Sequence, residues 1–197
     1  MVLRHLPIVP YWFWKIDHMG KRPDQYPEQE RYDYLRNIIK TINKNGRVTV
    51  TGYGEEHLPK KNGFVLFPNH QGFFDMLAII DTCPNPLGVI IKKEAANWIL
   101  VKQVLRLLGG IPMDRSDIRA SMEVIKEMTR QVKEGKNYVI FPEGTRSRKG
   151  NELLEFKAGT FKSAVNAQSP IVPVALINSF RPFDISSIKK EQVEVHY

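Results

Sequence analysis

The sequence of 197 residues has a single cysteine, Cys83, and no continuous apolar run long enough to cross a membrane. One cysteine cannot form an intrachain disulfide or supply a cysteine-rich zinc site. The most apolar stretch, 97–113, is interrupted by Lys102 and Arg106, so no membrane-spanning helix is expected there. Residues 6–16 carry two prolines, two tryptophans and a lysine, which is unlike a signal peptide. We therefore expect an intracellular protein without a spanning helix.

Acidic residues are scarce relative to basic ones, 21 against 29, which leaves a formal net charge of +8. This excess attracts anionic partners, namely nucleic acid, anionic lipid headgroups or phosphorylated small molecules. The part of the chain that carries the polar motifs lacks a basic stripe with interleaved aromatics and a recognition-helix signature, so nucleic acid is not an expected partner. With 42% hydrophobic and 25% charged residues, the composition is that of an ordinary globular domain.

The beginning of the chain is unusually aromatic, with Tyr11, Trp12, Phe13 and Trp14 in succession. Six basic residues flank this cluster: Arg4, His5, Lys15, His18, Lys21 and Arg22. Aromatic rings beside cations suit the interface between a membrane and water, where ring and headgroup each find their preferred medium. The same rings could instead cap the core of the main domain, and the residues alone favour neither interpretation.

The spacing of apolar residues predicts helices and strands that alternate along the chain. The predicted helices are 29–43, 75–82, 94–108, 118–132 with Ser116 as its cap, and 157–167. The predicted strands are 47–51, 63–67, 88–91, 111–113, 138–141, 171–177 and 192–196. This alternation is typical of an α/β fold, here a largely parallel or mixed sheet flanked by helices. We expect residues 1–45 to form a short helical segment that associates with membranes and 46–197 to form the catalytic α/β domain.

Three polar clusters follow predicted strands, at 69–75, 114–115 and 143–147. In sheets of this type, ligands bind beyond the carboxyl ends of the strands. The shared placement of the clusters therefore predicts that they form one site.

His70 and Asp75 are five residues apart, which would place them about 140° apart around a helix. They can touch only across a turn, for which Gly72 can supply unusual backbone angles. A carboxylate bonded to one imidazole nitrogen leaves the other nitrogen basic, as a general base for a hydroxyl nucleophile requires. No serine or cysteine stands nearby as an obvious covalent nucleophile, and no third side chain has the spacing of a metal ligand. The alternative is a hydrogen-bonded loop histidine without a catalytic role.

The other two clusters place Arg115 and Arg146 beyond strand ends, where a guanidinium can bind phosphate through two parallel hydrogen bonds. Glu143, Thr145 and Arg146 are expected to be exposed at the tip of their turn. Lys92 and Lys93 can add positive charge to the rim beside Arg115. Lys157 is a further basic residue near Arg146. Each of these cations has a structural alternative, as a solvated surface charge or, for Arg115, as a partner of Asp114.

Four segments together resemble the glycerolipid acyltransferases, and within them the 1-acylglycerol-3-phosphate acyltransferases. They read NHQGFFD at 69–75, GGIPMDR at 109–115, FPEGTRSRKG at 141–150 and PIVPVAL at 170–176, and FKAG at 156–159 matches the usual continuation. The similarity runs in order over more than half of the chain. Position 72 departs from the family, which often has serine there, and a turn should tolerate this difference.

The resemblance implies that His70 is the general base and that Asp75 orients it. The hydroxyl of a lysophospholipid would attack an acyl thioester carried by coenzyme A or acyl carrier protein, giving phosphatidate for phospholipid synthesis. The matching motifs imply that acceptor or phosphate binding falls to Arg115, Glu143, Gly144 and Arg146, with Thr145 beside them, and that Pro173 lies on the acyl-chain side. No metal or further cofactor is expected.

The implied enzyme acts at a membrane surface, as a peripheral or monotopic protein on the cytoplasmic face of the cell membrane. Two alternatives stay open. The acceptor could be glycerol 3-phosphate or another lysophospholipid. The protein could also be a non-catalytic lipid-binding protein, against which the intact pair His70 and Asp75 argues.

Overall fold

The computed structural model describes residues 8–114, 116–185 and 189–197. The α-helices within these ranges are α1 Val9–Gly20, α2 Glu28–Gly46, α3 Asp75–Thr82, α4 Val101–Leu108, α5 Ile118–Lys133, α6 Lys162–Ala167 and α7 Arg181–Asp184. The strands are β1 Val48–Tyr53, β2 Val65–Pro68, β3 Gly88–Lys92, β4 Ile111–Met113, β5 Tyr138–Val139, β6 Ile171–Ile177 and β7 Glu191–His196. None of the helices in the described ranges is both long and apolar enough to cross a membrane.

The seven strands form one sheet in the order β1-β7-β6-β2-β5-β3-β4. Neighbouring strands are parallel except β6 and β7, which are antiparallel. Strands β2 to β6 therefore point the same way and end at one edge of the sheet, while β1 and β7 point the opposite way. The predicted α/β fold with a largely parallel, mixed sheet is confirmed.

Helices cover both faces of the sheet. Alternate residues of the central strand β2 point to opposite sides, and each set packs against different helices. Leu66 belongs to a core cluster with residues of α1, α2, α3 and α4. Val65 and Phe67 belong to a second cluster with Met128 and Val132 of α5. All four residues of β2 are buried, as expected of a parallel strand between two layers of helices. The residues that follow β2 are therefore anchored at the centre of the sheet.

The prediction of one continuous helix over 94–108 is wrong, because the backbone breaks before α4. A 3₁₀ turn covers Ala95–Asn97, Trp98 is extended, and Leu100 has a φ of 73° and a ψ of −47°. An α-helix needs a φ of about −63° at each residue, so it cannot pass through Leu100. The apolar spacing could not reveal this break, because Trp98, Ile99 and Leu100 continue the apolar pattern although all three are exposed.

Helix α5 is capped by Asp117 rather than by the predicted Ser116. The Asp117 carboxylate accepts hydrogen bonds from the N–H groups of Arg119, at 2.8 Å, and Ala120, at 3.1 Å. Ser116 instead donates its N–H and its hydroxyl to Oδ1 of Asp114, at 3.0 and 2.6 Å. Serine and aspartate are both preferred at this position, and the structure gives the role to the residue one place later than predicted.

Helix α5 begins at Ile118, as predicted, and ends at Lys133, one residue beyond the predicted bound. Its apolar residues Met128 and Val132 are buried, whereas Ile118 and Met122 in its first half are exposed. The segment predicted as helix 157–167 begins as a 3₁₀ turn and becomes α-helical only at α6.

Helix α1 divides the N-terminal aromatic cluster between the core and the surface. Ile16 and Met19 are buried in the core, and Trp12 packs partly against it. Tyr11 and Trp14 are exposed, and their rings stack with centroids 5.9 Å apart. The two basic residues at the start of the cluster lie outside the described ranges: Arg4 and His5. The interpretation as a core cap therefore fits Trp12, and the interpretation as a membrane interface fits Tyr11 and Trp14.

Candidate active site

The order of the strands explains why distant segments meet at one place. Strand β2 lies between β6 and β5, and all three end at the same edge. His70 follows β2, Glu143 follows β5 and Ser179 follows β6. The turn after β2 therefore contacts the segments after both neighbouring strands, through Glu143 on one side and Ser179 on the other.

His70 and Asp75 are in direct contact. The Nδ1 atom of His70 lies 2.7 Å from Oδ2 of Asp75. The Asp75 side chain is 1% exposed and that of His70 is 21% exposed, so the carboxylate is inside while part of the imidazole reaches the surface. The His70 ring also stacks on Phe141, with centroids 4.0 Å apart, which fixes its plane. When Nδ1–H donates to Asp75, the lone pair lies on Nε2, the nitrogen that can accept a proton.

Asp75 is the first residue of α3, and its carboxylate closes the turn that begins at His70. Its Oδ2 accepts the N–H of Gln71 at 2.7 Å, and the N–H of Gly72 lies 3.0 and 3.1 Å from its two oxygens. The hydroxyl of Ser179 donates to Oδ1 at 2.5 Å. A buried carboxylate with this many donors is held in one position, and it holds the imidazole in turn.

The prediction that Gly72 supplies unusual backbone angles is wrong, because its φ lies outside the left-handed region. A Cβ at this position would lie 3.1 Å from Cα of Phe180 and 3.2 Å from Oδ2 of Asp184. Glycine here permits the close approach of the segment that follows β6. A serine at this position would require this neighbouring segment to move by a few tenths of an ångström.

Two buried amide side chains tie the same turn to β6. Asn69 Nδ2 donates to the carbonyl of Leu176 at 3.1 Å, and Asn69 Oδ1 accepts the Leu176 N–H at 2.6 Å. Gln71 Nε2 donates to the same carbonyl at 2.9 Å. These bonds fix the turn between β2 and α3 on a rigid strand, as a precisely placed base requires.

Ser179 is a site residue that the motifs did not indicate. It is fully buried, and its N–H and its hydroxyl each lie 2.9 Å from Oε1 of Gln71, while the hydroxyl also reaches Asp75. A weak signal was present, because Asn178 and Ser179 are polar residues directly after the predicted strand 171–177. Their place at the carboxyl end of β6 is that of the other polar clusters.

Glu143 is buried, contrary to the expectation that it is exposed at the tip of a turn. Its side chain is 2% exposed, Oε1 accepts the N–H of His70 at 2.8 Å and Oε2 accepts the N–H of Leu154 at 3.2 Å. Both oxygens thus bind the backbone of the protein, and one of them fixes the base-bearing residue itself. Acceptor binding by Glu143 stays a prediction.

Arg146 reaches the site from the loop after β5. Its guanidinium carbon lies 4.0 Å from the centroid of the Phe73 ring, in the turn that carries His70 and Asp75, and makes a cation–π contact. Together with Arg148, Phe180 and Asp184, Arg146 lines a cavity of about 450 Å³. The two guanidinium groups outnumber the one carboxylate on this cavity, that of Asp184, which suits an anionic ligand. Thr145, the neighbour of Arg146, is exposed.

Lys157 lies against Gly144, which turns the loop after β5. Gly144 has a φ of 69°, in the left-handed region that favours glycine. A Cβ at this position would lie 3.0 Å from Nζ of Lys157. The two residues line a second cavity of about 200 Å³ with Met113 and with Phe141, whose ring stacks on His70.

The remaining predicted residues lie farther out or outside the described ranges. Lys93 is exposed, with Nζ 3.6 Å from Oδ2 of Asp114. Hydrogen bonds from Ser116 lower the pKa of Asp114, so this partner is ionised at neutral pH. Arg115 lies outside the described ranges. Pro173 pairs in register with a residue of β2 and is exposed, and its place beside an acyl chain stays a prediction.

Cys83 is not available as a nucleophile. It is fully buried, and burial raises the pKa of its thiol to about 12. At neutral pH it is therefore a thiol, and only the thiolate attacks. With Cys83 excluded as a nucleophile, the contact between His70 and Asp75 suits a base that acts on a hydroxyl brought by the substrate.

The chain matches a family model described as Acyltransferase over residues 47–177. A 1-acyl-sn-glycerol-3-phosphate acyltransferase of Borreliella burgdorferi is 33% identical to it over 133 residues, which cover 68% of this chain and 52% of that protein. A probable 1-acyl-sn-glycerol-3-phosphate acyltransferase of Mycoplasma pneumoniae is 29% identical over 178 residues, which cover 87% of this chain and 66% of that protein. The chain thus spans between about half and two thirds of the length of these relatives.

The fold is also similar to that in the crystal structure of the 1-acyl-sn-glycerophosphate (LPA) acyltransferase PlsC from Thermotoga maritima. The two structures superpose with a TM-score of 0.69, covering 98% of this chain and 83% of the other. The sequences are 22% identical, and at this identity the likeness establishes a shared fold.

Proposed function

This chain belongs to the acyltransferase family, and we propose that it transfers an acyl group from a thioester to the free hydroxyl of 1-acylglycerol 3-phosphate. The product would be phosphatidate, for phospholipid synthesis. The observation that carries the proposal is the contact of 2.7 Å between His70 Nδ1 and Asp75 Oδ2, at the edge of the sheet where ligands bind. The names of the two bacterial relatives support this choice of acceptor.

In the proposed reaction, Nε2 of His70 takes the proton from the acceptor hydroxyl as its oxygen attacks the thioester carbonyl carbon. The tetrahedral intermediate collapses, the carbon–sulfur bond breaks, and the leaving thiolate takes the proton from His70. Asp75 keeps the imidazole in the required tautomer and offsets the positive charge that forms on it. The thioester of coenzyme A or acyl carrier protein is consumed as a co-substrate, and we expect no metal or further cofactor.

The phosphate of the acceptor needs cations near the base. Arg146 supplies one on the cavity beside Phe73, and the motif match adds Arg115. The next candidates are Lys157, which lies against Gly144, and Lys93, which is exposed beside Asp114.

Replacing Arg146 with alanine should raise the KM for the acceptor by about 10- to 100-fold, the range expected for one lost arginine–phosphate contact. The KM for the thioester should change much less. Arg146→Lys should recover only part of the loss, because an ammonium group is a point charge without a planar fork. Initial rates at varied acceptor concentration measure the effect.

The matched control for this variant is Arg130→Ala. Arg130 forms ion pairs with Glu127 and Glu134 on the exposed face of α5. Its loss should leave both KM values unchanged. An unchanged acceptor KM in Arg146→Ala would place the phosphate elsewhere, with Lys93 and Lys157 tested next.

Both proposed substrates carry acyl chains, so the site must meet a membrane surface, and we propose that α1 provides attachment. Tyr11 and Trp14 are exposed on this helix, beside basic residues and in a chain of net charge +8. Attachment at the cytoplasmic face of the cell membrane fits a donor made inside the cell. Deletion of the segment is not a clean test, because Ile16 and Met19 lie in the core.

The double substitution Tyr11→Ser and Trp14→Ser should weaken sedimentation with anionic vesicles and leave thermal unfolding unchanged. Wild-type binding should increase with the anionic lipid fraction and decrease with salt, since buried rings and basic residues act together, at about 1 kcal/mol for each lysine or arginine near the surface. Tyr53→Ser, which removes an exposed ring of β1, is the control. Equal sedimentation of the double variant and the wild type would show that α1 is not the attachment.

The experiment that tests the proposed function is an acyl-transfer assay with competing acceptors. The protein is given lysophosphatidate, lysophosphatidylcholine or glycerol 3-phosphate with each thioester donor. We expect the highest kcat/KM for lysophosphatidate. A preference for glycerol 3-phosphate or lysophosphatidylcholine would favour the alternative acceptors, and binding of lysophosphatidate without any transfer would favour a lipid-binding protein.

A further inference from the structure

An exposed apolar loop stands at the beginning of α4. It consists of Trp98, Ile99 and Leu100, all three of which are exposed, with Ile99 85% exposed. Single apolar residues on a surface are normal, whereas three in succession mark a contact surface. The loop follows β3, so it lies at the same edge of the sheet as His70.

The backbone of this loop is strained. Leu100 has a φ of 73° and a ψ of −47°, a conformation that is rare for a residue with a branched side chain. Its carbonyl nevertheless accepts the N–H of Val104 at 3.0 Å, so α4 begins directly from the strained residue. Strain of this kind persists where the surrounding structure imposes it, and it concentrates at functional segments.

The loop is continuous with the candidate active site. The Trp98 ring lies 6.2 Å, centroid to centroid, from that of Phe73, which belongs to the turn between His70 and Asp75. Arg146 lies over the Phe73 ring, at 4.0 Å. The rings of Trp98 and Phe73 thus form an apolar ridge from the loop to the mouth of the site, and Arg146 lies at the end of this ridge.

The charges around the loop have a small basic excess, of three lysines over two acids. Lys92 ends β3, Lys93 follows it, and Lys102 is the second residue of α4, while the acids nearby are Glu94 and Asp114. Each acid pairs with one of the first two lysines, at 3.1 and 3.6 Å. A second copy of this chain is a poor partner for such a surface, because it carries the same net charge of +8.

We propose that loop 98–100 inserts into the surface of a bilayer that contains anionic lipid, as a second membrane contact separate from α1. Exposed aromatic and aliphatic side chains with a basic rim are the chemistry that such an interface binds. The contact would hold the mouth of the site against the bilayer, so that an acyl chain can pass along the Trp98–Phe73 ridge without crossing water. The inference rests on the proposed function in taking membrane lipids as the substrates.

The test uses an environment-sensitive fluorophore on the full-length Ile99→Cys variant. Selective labelling is possible because the native Cys83 is fully buried. The labelled protein is mixed with vesicles of phosphatidylcholine alone or of phosphatidylcholine with phosphatidylglycerol. Adding the mixed vesicles should shift the emission of the fluorophore to the blue, and quenchers attached to the lipids should reduce the intensity of this emission. High salt should weaken the response by screening the basic rim.

The matched control is Val165→Cys, an exposed apolar position on α6, on the opposite face of the sheet from α4. Its label should not respond to vesicles. Ile99→Asp in the otherwise native chain should reduce partitioning into the mixed vesicles by about tenfold, the order expected from the loss of one buried aliphatic side chain.

An unchanged emission at position 99, under conditions in which the protein sediments with vesicles, would overturn the proposal, as would equal responses at positions 99 and 165. A response to acidic acyl carrier protein but not to vesicles would also overturn it, and would assign the loop to the donor protein. None of these measurements involves acyl transfer, so a failure here and a failure of the proposed reaction are distinguishable.

Discussion

Replacing His70 with alanine should lower kcat by at least about 10²- to 10⁴-fold, because the acceptor hydroxyl then has no base to take its proton. The fold should survive, since the turn is held by Asp75, Asn69 and Gln71 through bonds that do not involve the imidazole. The His70 ring does stack on Phe141, so His70→Gln, which keeps more of the side-chain volume, should accompany the alanine variant. We expect both to be inactive.

The measurement is the initial rate at saturating substrates, with thermal unfolding to verify the fold. His57→Ala serves as the control, because His57 is an exposed histidine in a 3₁₀ turn before β2. It should retain wild-type turnover. Wild-type turnover in both His70 variants would show that the proposed base is not used.

Replacing Asp75 with asparagine should lower kcat by about 10²- to 10⁴-fold with little change in either KM. The carboxylate accepts from His70 Nδ1, from two backbone N–H groups and from the Ser179 hydroxyl. An amide has one acceptor oxygen and presents an NH₂ group to some of these donors. The imidazole therefore loses its orientation, although the substrate cavities are untouched.

Because the Asp75 side chain is buried, the same substitution should also destabilise the protein, by about 1.5–3 kcal/mol for a lost hydrogen bond to a charged group. Chemical unfolding measures this loss of stability separately from the loss of kcat. Ser179→Ala keeps the carboxylate and removes one donor, so its loss of kcat should be smaller, at most about 10²-fold. A raised acceptor KM with normal kcat in Asp75→Asn would instead assign Asp75 to substrate binding.

Much of the site could be predicted because its chemistry lies in short segments that follow strongly apolar strands. The helix 75–82 and the strands 111–113 and 171–177 have the predicted bounds. Strand β2 was recognisable from the apolar run at 63–67, and its four residues are buried. The polar turn directly after it contains both His70 and Asp75. The alternation of helices and strands then placed this turn at the ligand-binding edge.

The other parts of the site depend on which strands are neighbours, and one sequence does not contain that information. Ser179 is 104 residues from Asp75 and Glu143 is 73 residues from His70, and each contact exists because β2 lies between β6 and β5. For the same reason the sequence could not show that Glu143 is buried. The break at Leu100 escaped prediction because an exposed apolar loop has the same spacing as a helix face.

The most direct test of the central claim is whether thiol release is coupled to phosphatidate formation. The wild-type chain is incubated with an acyl thioester, with and without 1-acylglycerol 3-phosphate, and both the free thiol and the lipid product are quantified by mass spectrometry. Direct transfer to the acceptor hydroxyl predicts equal amounts of thiol and phosphatidate, and negligible thiol without acceptor. Thiol release that is independent of the acceptor, or the absence of phosphatidate, would contradict the account.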